Sequence, residues 1–284
     1  RSALIQGKFL AKKGLWVSEF RIESGLNCGG HAFATEGHLM GPILQEFKEK
    51  RSELQQTLYS TFESALVAGD RMVPEYRPKL KVTAQGGVGT ADEHNFLINN
   101  YELDSVGWGS PFLLVPEATC VDRGTREQVR RAEEKDLYLS KISPLGVPFN
   151  NLKNSTKDIE KENAIGNHKP GSPCVKKYLA FSKEFTEKPL CTASRKYQDL
   201  KIKDLKAQKL NEESYRMAYQ KLTEKACICT GLATPFLLEN KLDTKKSGSG
   251  VSICPGPNMA YFSKIVSLKN MIDHIYGRID IIVR

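Results

Sequence analysis

Between Leu80 and Ser110 the chain reads as strand, glycine-rich turn, helix, strand and second glycine-rich turn, and few folds accommodate that order. Leu80, Val82 and Ala84 alternate with Lys79, Lys81 and Thr83, the period of a strand with one face inward. The strand runs straight into Gly86-Gly87-Val88-Gly89. Thr90 then stands three residues before Glu93, the spacing of a capping box, and opens a helix over Ala91–Asn99. A short apolar stretch at Ser105-Val106 leads into Gly107-Trp108-Gly109-Ser110. Strands and helices that alternate through short connections are the grammar of a parallel α/β sheet, either a barrel or a doubly wound sheet.

The flanking segments extend this pattern. Upstream, a short strand at Arg21–Glu23 leads into the loop Gly25-Leu26-Asn27-Cys28-Gly29-Gly30-His31. Ile43, Phe47, Leu54, Leu58, Phe62 and Leu66 recur at helical spacings and share one face of a long helix, which Gly69-Asp70 and Pro74 end. Downstream, Thr125–Asp136 reads as a helix and Ser143–Pro148 as a loop. Asn150–Pro173 is polar, with Gly166, Pro170, Gly171 and Pro173, and reads as a linker. Helices are expected at Lys176–Phe185 and Glu212–Lys225, and a flexible stretch at Lys245–Gly250. The expected organisation is an α/β domain over 1–155 and a mainly helical, Cys-containing region over 156–284, with no internal repeat.

No apolar run approaches the roughly 18 residues of a membrane span. The net charge of +9 is concentrated: 14 Lys and Arg face 7 Asp and Glu between Lys153 and Lys209. No clustered aromatics or nucleic-acid motif accompany that excess, so it reads as a solvated surface rather than a nucleic-acid platform. The seven cysteines do not suggest a disulfide framework in a chain this long, which points to a reducing cytoplasm. Cys174, Cys191, Cys227, Cys229 and Cys254 read as buried or loop thiols without a metal, the other reading being metal or iron–sulfur ligands.

A phosphate needs several backbone N–H groups aimed at one point with no side chains in the way. Gly86-Gly87-Val88-Gly89-Thr90 has that composition between a strand and a helix. A second such loop follows the next strand at Gly107–Ser110, and in (β/α)8 barrels adjacent loops of this kind share a phosphate. Two tight turns with no ligand would have the same spacing. His31, two glycines beyond a strand end, would sit at the carboxyl edge of the sheet, where its ordinary pKa suits proton transfer. The alternative for His31 is a loop histidine making a structural hydrogen bond. His38, His94, His168 and His274 have no comparable setting and read as structural.

In order along the chain, Gly29-Gly30-His31, Ala84-Gln85-Gly86-Gly87-Val88, Val106–Leu113 and Pro116-Glu117-Ala118 resemble the nitronate monooxygenase family, formerly 2-nitropropane dioxygenases, which also includes flavin-dependent enoyl reductases. Ala132–Asp136 and Gly146–Asn154 are similar to that family's closing helix and the segment after it. A helical segment at about Leu39–Ala68 separates the His loop from the next strand, and Trp108 stands where the family often has a slim side chain. The resemblance covers roughly Arg21–Asn154. It implies the C-terminal portion of a (β/α)8 TIM barrel that binds FMN. Gly86, Gly87, Gly109 and Ser110 would hold the FMN phosphate, Gly29 and Gly30 would lie in the cofactor loop, and His31 would act as base beside the flavin ring.

The function expected on this basis is an FMN-dependent oxidoreductase that oxidises a small nitronate-like substrate. One alternative is an enoyl reductase that also uses NAD(P)H. Another, from a different class, is a non-catalytic module whose Cys-rich region binds a metal or a partner. Only about three of the eight strand units of a barrel are visible, so an upstream segment of a parent chain is expected to supply the rest.

Overall fold

The computed structural model describes residues 3–23, 40–146 and 149–282. Gly29, Gly30 and His31 lie outside the described residues. The chain is a mixed α/β protein that divides into two units, one of residues 1–109 with 272–280 and the other of 110–271 with 281–284. No helix among the described residues is long and apolar enough to cross a membrane.

The first unit is built on a parallel sheet in the order β1 (Glu19–Glu23), β2 (Lys81–Gln85), β3 (Ser105–Gly107). Preceding and intervening helices are α1 (Ala3–Ala11), α2 (Met40–Ala68) and α3 (Ala91–Tyr101). The long helix has the single apolar stripe that its sequence encodes: Leu44, Phe47, Leu54, Leu58, Phe62 and Leu66 are buried. Leu44, Phe47, Leu54 and Leu58 form one core with Ile22, Leu80, Val82, Ala84 and Leu103. Arg51, on the same helix, fixes how the helix meets the strands. Its guanidinium donates to Leu80 O (3.0 Å), Glu102 O (2.9 Å) and Asp104 Oδ2 (2.7 Å). Asp104 Oδ2 also accepts from the Val82 N–H at 2.7 Å, tying the start of β2 to the start of β3.

Two expectations about these elements need adjustment. Thr83 was expected on a polar face but is buried, and its hydroxyl donates to Glu19 Oε1 at 2.8 Å. The central strand of a parallel sheet is covered on both faces, so simple alternation fails there. The strand at Arg21–Glu23 is longer, beginning at Glu19.

The second unit opens with a 3₁₀ turn at Ser110–Leu114 and continues through α4 (Arg123–Arg131), an antiparallel pair β4 (Leu137–Ser140) and β5 (Phe149–Leu152), and α5 (Thr156–Gly166). Next come α6 (Arg195–Ala207) and α7 (Glu212–Thr223), then two short helices, α8 (Ile228–Gly231) and α9 (Thr234–Glu239). The closing helix α10 (Leu268–Ile275) carries the division between the units. Leu114, Val115, Val129, Met259 and Met271 are wholly inaccessible to solvent. The stretch read as a linker contains a helix, because Ser155 caps α5 by accepting from the Asp158 N–H at 3.2 Å. The helix expected at Lys176–Phe185 is absent. Its aromatic residues Tyr178 and Phe181 are exposed and only Phe185 packs, on Tyr197, so no continuous apolar face is buried to stabilise a helix there.

The core of the first unit makes a direct prediction. Leu54 is fully buried and Val67, on the same helix, is 66% exposed. Leu54→Ala should lower unfolding free energy by about 2–5 kcal/mol. Val67→Ala should change it by about 0.5 kcal/mol or less. Urea melts of the two variants check both values, and equal effects would contradict this packing.

Candidate functional site

The register of the sheet creates the site. Gln85 pairs with Gly107 across β2 and β3, so both strands end side by side and both glycine loops leave from the same edge. The Gly86 N–H donates to Gly107 O at 3.0 Å and carries the ladder one step into the loops. Gly86 and Gly87 then turn with φ of 92° and 79°, in the left-handed region that side chains disfavour. A Cβ on Gly109 would come within 4.0 Å of the Gly86 Cα, so the loops approach backbone to backbone. Among the described residues, neither the Gly87 nor the Gly109 N–H donates a hydrogen bond. These amides sit at the carboxyl edge of a parallel sheet, where α/β proteins bind ligands.

The amides at the start of α3 are occupied. The capping box is complete: the Glu93 N–H donates to Thr90 Oγ1 at 3.1 Å. Glu93 Oε2 accepts from the N–H groups of Thr90 (3.1 Å) and Gly89 (2.7 Å). The helix therefore supplies its own anion, and its N-terminal dipole is already neutralised. This changes the expected anatomy of a phosphate site, leaving Gly87 and Gly109 as the donors that remain. The capping-box spacing that marked the helix start already carried this information.

Ser110 begins the second unit, where its Oγ accepts from the Gly256 N–H at 2.6 Å. Its hydroxyl proton is still available to donate. Gly29, Gly30 and His31 fall outside the described residues, so the geometry of the site is that of the two glycine loops alone.

Sequence reasoning had no signal for the residues that brace the first loop from outside. His274 is buried, with Nε2 2.8 Å from Gly89 O and Nδ1 3.3 Å from Ile279 O. The ring thus spans Gly89 O on one side and Ile279 O and, at 3.6 Å, Asp280 Oδ1 on the other. The His274 ring meets Trp108 edge to face, at 5.7 Å between centroids. The Trp108 Nε1–H donates to His94 Nδ1 at 3.1 Å. Trp108, at the position where the family often has a slim side chain, turns its ring toward α3 and the C-terminal residues of this unit. Gly277 (φ 68°) packs there too, leaving only 3.3 Å between a Cβ in its place and the Ala91 Cβ.

No protein-family profile and no curated protein sequence matches the chain. Among solved structures it is similar to the enoyl reductase domain of MlnA from the macrolactin biosynthesis cluster of Bacillus amyloliquefaciens, at 14% identity and TM-score 0.42, over 90% of this chain and 56% of that one. It is also similar to FabK from Thermotoga maritima, at 13% identity and TM-score 0.41, over 98% of this chain and 60% of FabK. A single-substitution variant of FabK gives 11% identity and TM-score 0.44, over 98% of this chain and 57% of that one. The chain thus spans less than two thirds of the length of each of these structures.

Replacing His274 by Ala would leave the Gly89 carbonyl without its partner. That should lower stability by about 1–3 kcal/mol. It should also speed amide hydrogen exchange at Gly277 and Arg278. Unchanged exchange in that segment would show that the His274–Gly89 contact does not brace the loop.

Proposed function

We propose that this chain supplies the phosphate-binding end of an FMN-dependent oxidoreductase with a (β/α)8 barrel, of the nitronate monooxygenase type. The observation that carries the reading is the backbone-to-backbone approach of Gly86 and Gly109 at the ends of adjacent parallel strands, with the Gly87 and Gly109 amides unengaged. A phosphate monoester fits such a cradle: small, anionic, and satisfied by backbone donors. The glycines fit it sterically as well, because side chains at 86 or 87 would be strained at those φ values.

The roles follow from chemistry. Gly86 and Gly87 keep the first loop slim, Gly87 and Gly109 would donate N–H groups to the phosphate, and the Ser110 hydroxyl could donate a further hydrogen bond. FMN supplies two-electron redox chemistry when bound. His31 would serve as the base toward the carbon that bears the nitro group, with Gly29 and Gly30 in the same loop. Glu93 occupies the Gly89 and Thr90 amides, so those two would not be donors to the phosphate.

Two substitutions in the full-length protein test this assignment. Gly87→Val should strip FMN, measured as released flavin per chain, while the circular dichroism spectrum stays native. Stoichiometric flavin in that variant would rule out the glycine cradle. His31→Asn should keep its flavin and slow anaerobic flavin reduction by a nitronate by about 10²–10⁴-fold, the usual contribution of a general base. An unchanged rate per flavin would remove His31 from the chemistry. Reduction by NAD(P)H with an enoyl acceptor, and none by a nitronate, would favour the reductase alternative.

A further inference from the structure

The core takes up one face of the parallel sheet. Ile22, Val82 and Ala84 are buried there with the stripe of α2, and Val106 packs against them. Side chains alternate between faces along a strand, so the residues between these point the other way. The register stacks them in rows. Arg21, Thr83 and Ser105 form one row, and Glu23, Gln85 and Gly107 form the next, at the carboxyl edge. Away from that edge the polar groups answer one another: the Thr83 hydroxyl and the Arg21 guanidinium both donate to Glu19 Oε1, at 2.8 Å and 3.2 Å.

Gln85 differs. Its side chain lies along the backbone of Gly107: a Cβ placed on Gly107 would stand 3.1 Å from the Gln85 Cγ and 3.4 Å from its Cδ. That is tighter than side chains ordinarily pack, so the bare backbone at 107 is what gives Gln85 this path. The residue is half-buried, and among the described residues its carboxamide makes no hydrogen bond. Yet a carboxamide carries two N–H donors and an accepting oxygen. The amide stands directly before the Gly86–Gly87 turn on its own strand. On the neighbouring strand it lies over the residue two before Gly109. It therefore adjoins the Gly87 and Gly109 amides that also lack a partner among the described residues.

A group that satisfies this amide must both accept and donate. A phosphate monoester dianion only accepts, and the Glu23 carboxylate in the same row disfavours a second anion there. A hydroxyl is neutral and does both. A carboxylate beside it can accept from a further hydroxyl, as acidic residues do with the ribose of bound dinucleotides. We propose that Gln85 is a specificity-determining residue for a polyol chain joined to the phosphate, which in FMN is the ribityl chain. The assignment rests on the flavin reading of the glycine loops. With the phosphate at the loops, the part of the ligand next to it is the part that the edge row meets. Gln85 donates to a hydroxyl oxygen through Nε2 and accepts from a hydroxyl through Oε1. The glycines then divide their work: Gly86, Gly87 and Gly109 serve the phosphate, and Gly107 makes room for the residue that reads the polyol.

The test is equilibrium titration of the apo form of the full-length protein with FMN, with riboflavin, and with an FMN analogue that carries a plain pentyl chain in place of the polyol. Gln85→Ala removes the amide. Gln85→Met removes it too, while keeping a side chain of similar length over Gly107. Each variant should bind FMN and riboflavin about 3- to 10-fold more weakly than the unmodified protein, the usual contribution of a neutral hydrogen bond. The ratio of the two affinities should not change, because the phosphate is held by other residues. Both variants should bind the pentyl analogue as tightly as the unmodified protein does, which a misfolded variant could not do. Unmodified protein that binds no FMN would remove the flavin reading and this assignment with it. Full retention of FMN affinity in both variants, or equal losses for FMN and the pentyl analogue, would overturn the role of Gln85 and leave the flavin reading standing. A loss for FMN with riboflavin unchanged would also overturn it, by moving Gln85 from the polyol to the phosphate.

Discussion

Parallel strand pairing is the constraint on which the first unit depends. Parallel neighbours cannot be joined by a tight hairpin, so each connection must cross over the sheet, and α2 and α3 are those connections. Because the strands run the same way, their carboxyl ends share one edge, and the turns that follow β2 and β3 emerge together. The register of Gln85 with Gly107 then decides which residues meet. A slip of one residue would exchange faces along β2 and separate Gly86 from Gly109. The Arg51 guanidinium and the Asp104 carboxylate oppose that slip from the amino end, since together they bind Leu80 O, Glu102 O and the Val82 N–H. A lock at one end of the strands thus sets the geometry at the other.

What the sequence revealed followed from local patterns. The stripe from Phe47 to Leu66 and the Thr90/Glu93 pair were readable because helix period and cap spacing are properties of short windows. Thr83 misled because its burial comes from neighbours on both sides of the sheet. The Lys176–Phe185 segment misled in the opposite sense, with apolar residues at helical spacings of which Tyr178 and Phe181 stay exposed and only Phe185 packs, on Tyr197. α5 was missed because its polar composition resembles a linker until Ser155 is recognised as a cap. The β4–β5 pair was missed because short strands with exposed positions carry little pattern.

The candidate sites show the same division. Both glycine loops were visible in the sequence, but their contact is a tertiary fact. Glu93 as the resident anion of α3 was implicit in the capping-box spacing. His274 reaches Gly89 across 185 residues of chain, and no window contains both. Local spacing finds a site when its ligands come from one turn, and misses it when they come from separate elements.

The central claim is that the paired glycine loops bind a flavin through its phosphate, and comparing two ligands tests it most directly. FMN and riboflavin differ only in that phosphate, so equilibrium titration of the apo form of the full-length protein with each, by quenching of flavin fluorescence, isolates its contribution. Hydrogen bonds to a charged group contribute about 1.5–3 kcal/mol each. FMN should therefore bind at least about tenfold more tightly than riboflavin, since about 1.4 kcal/mol corresponds to a factor of ten. Equal affinities for the two flavins, or binding of neither, would contradict the account.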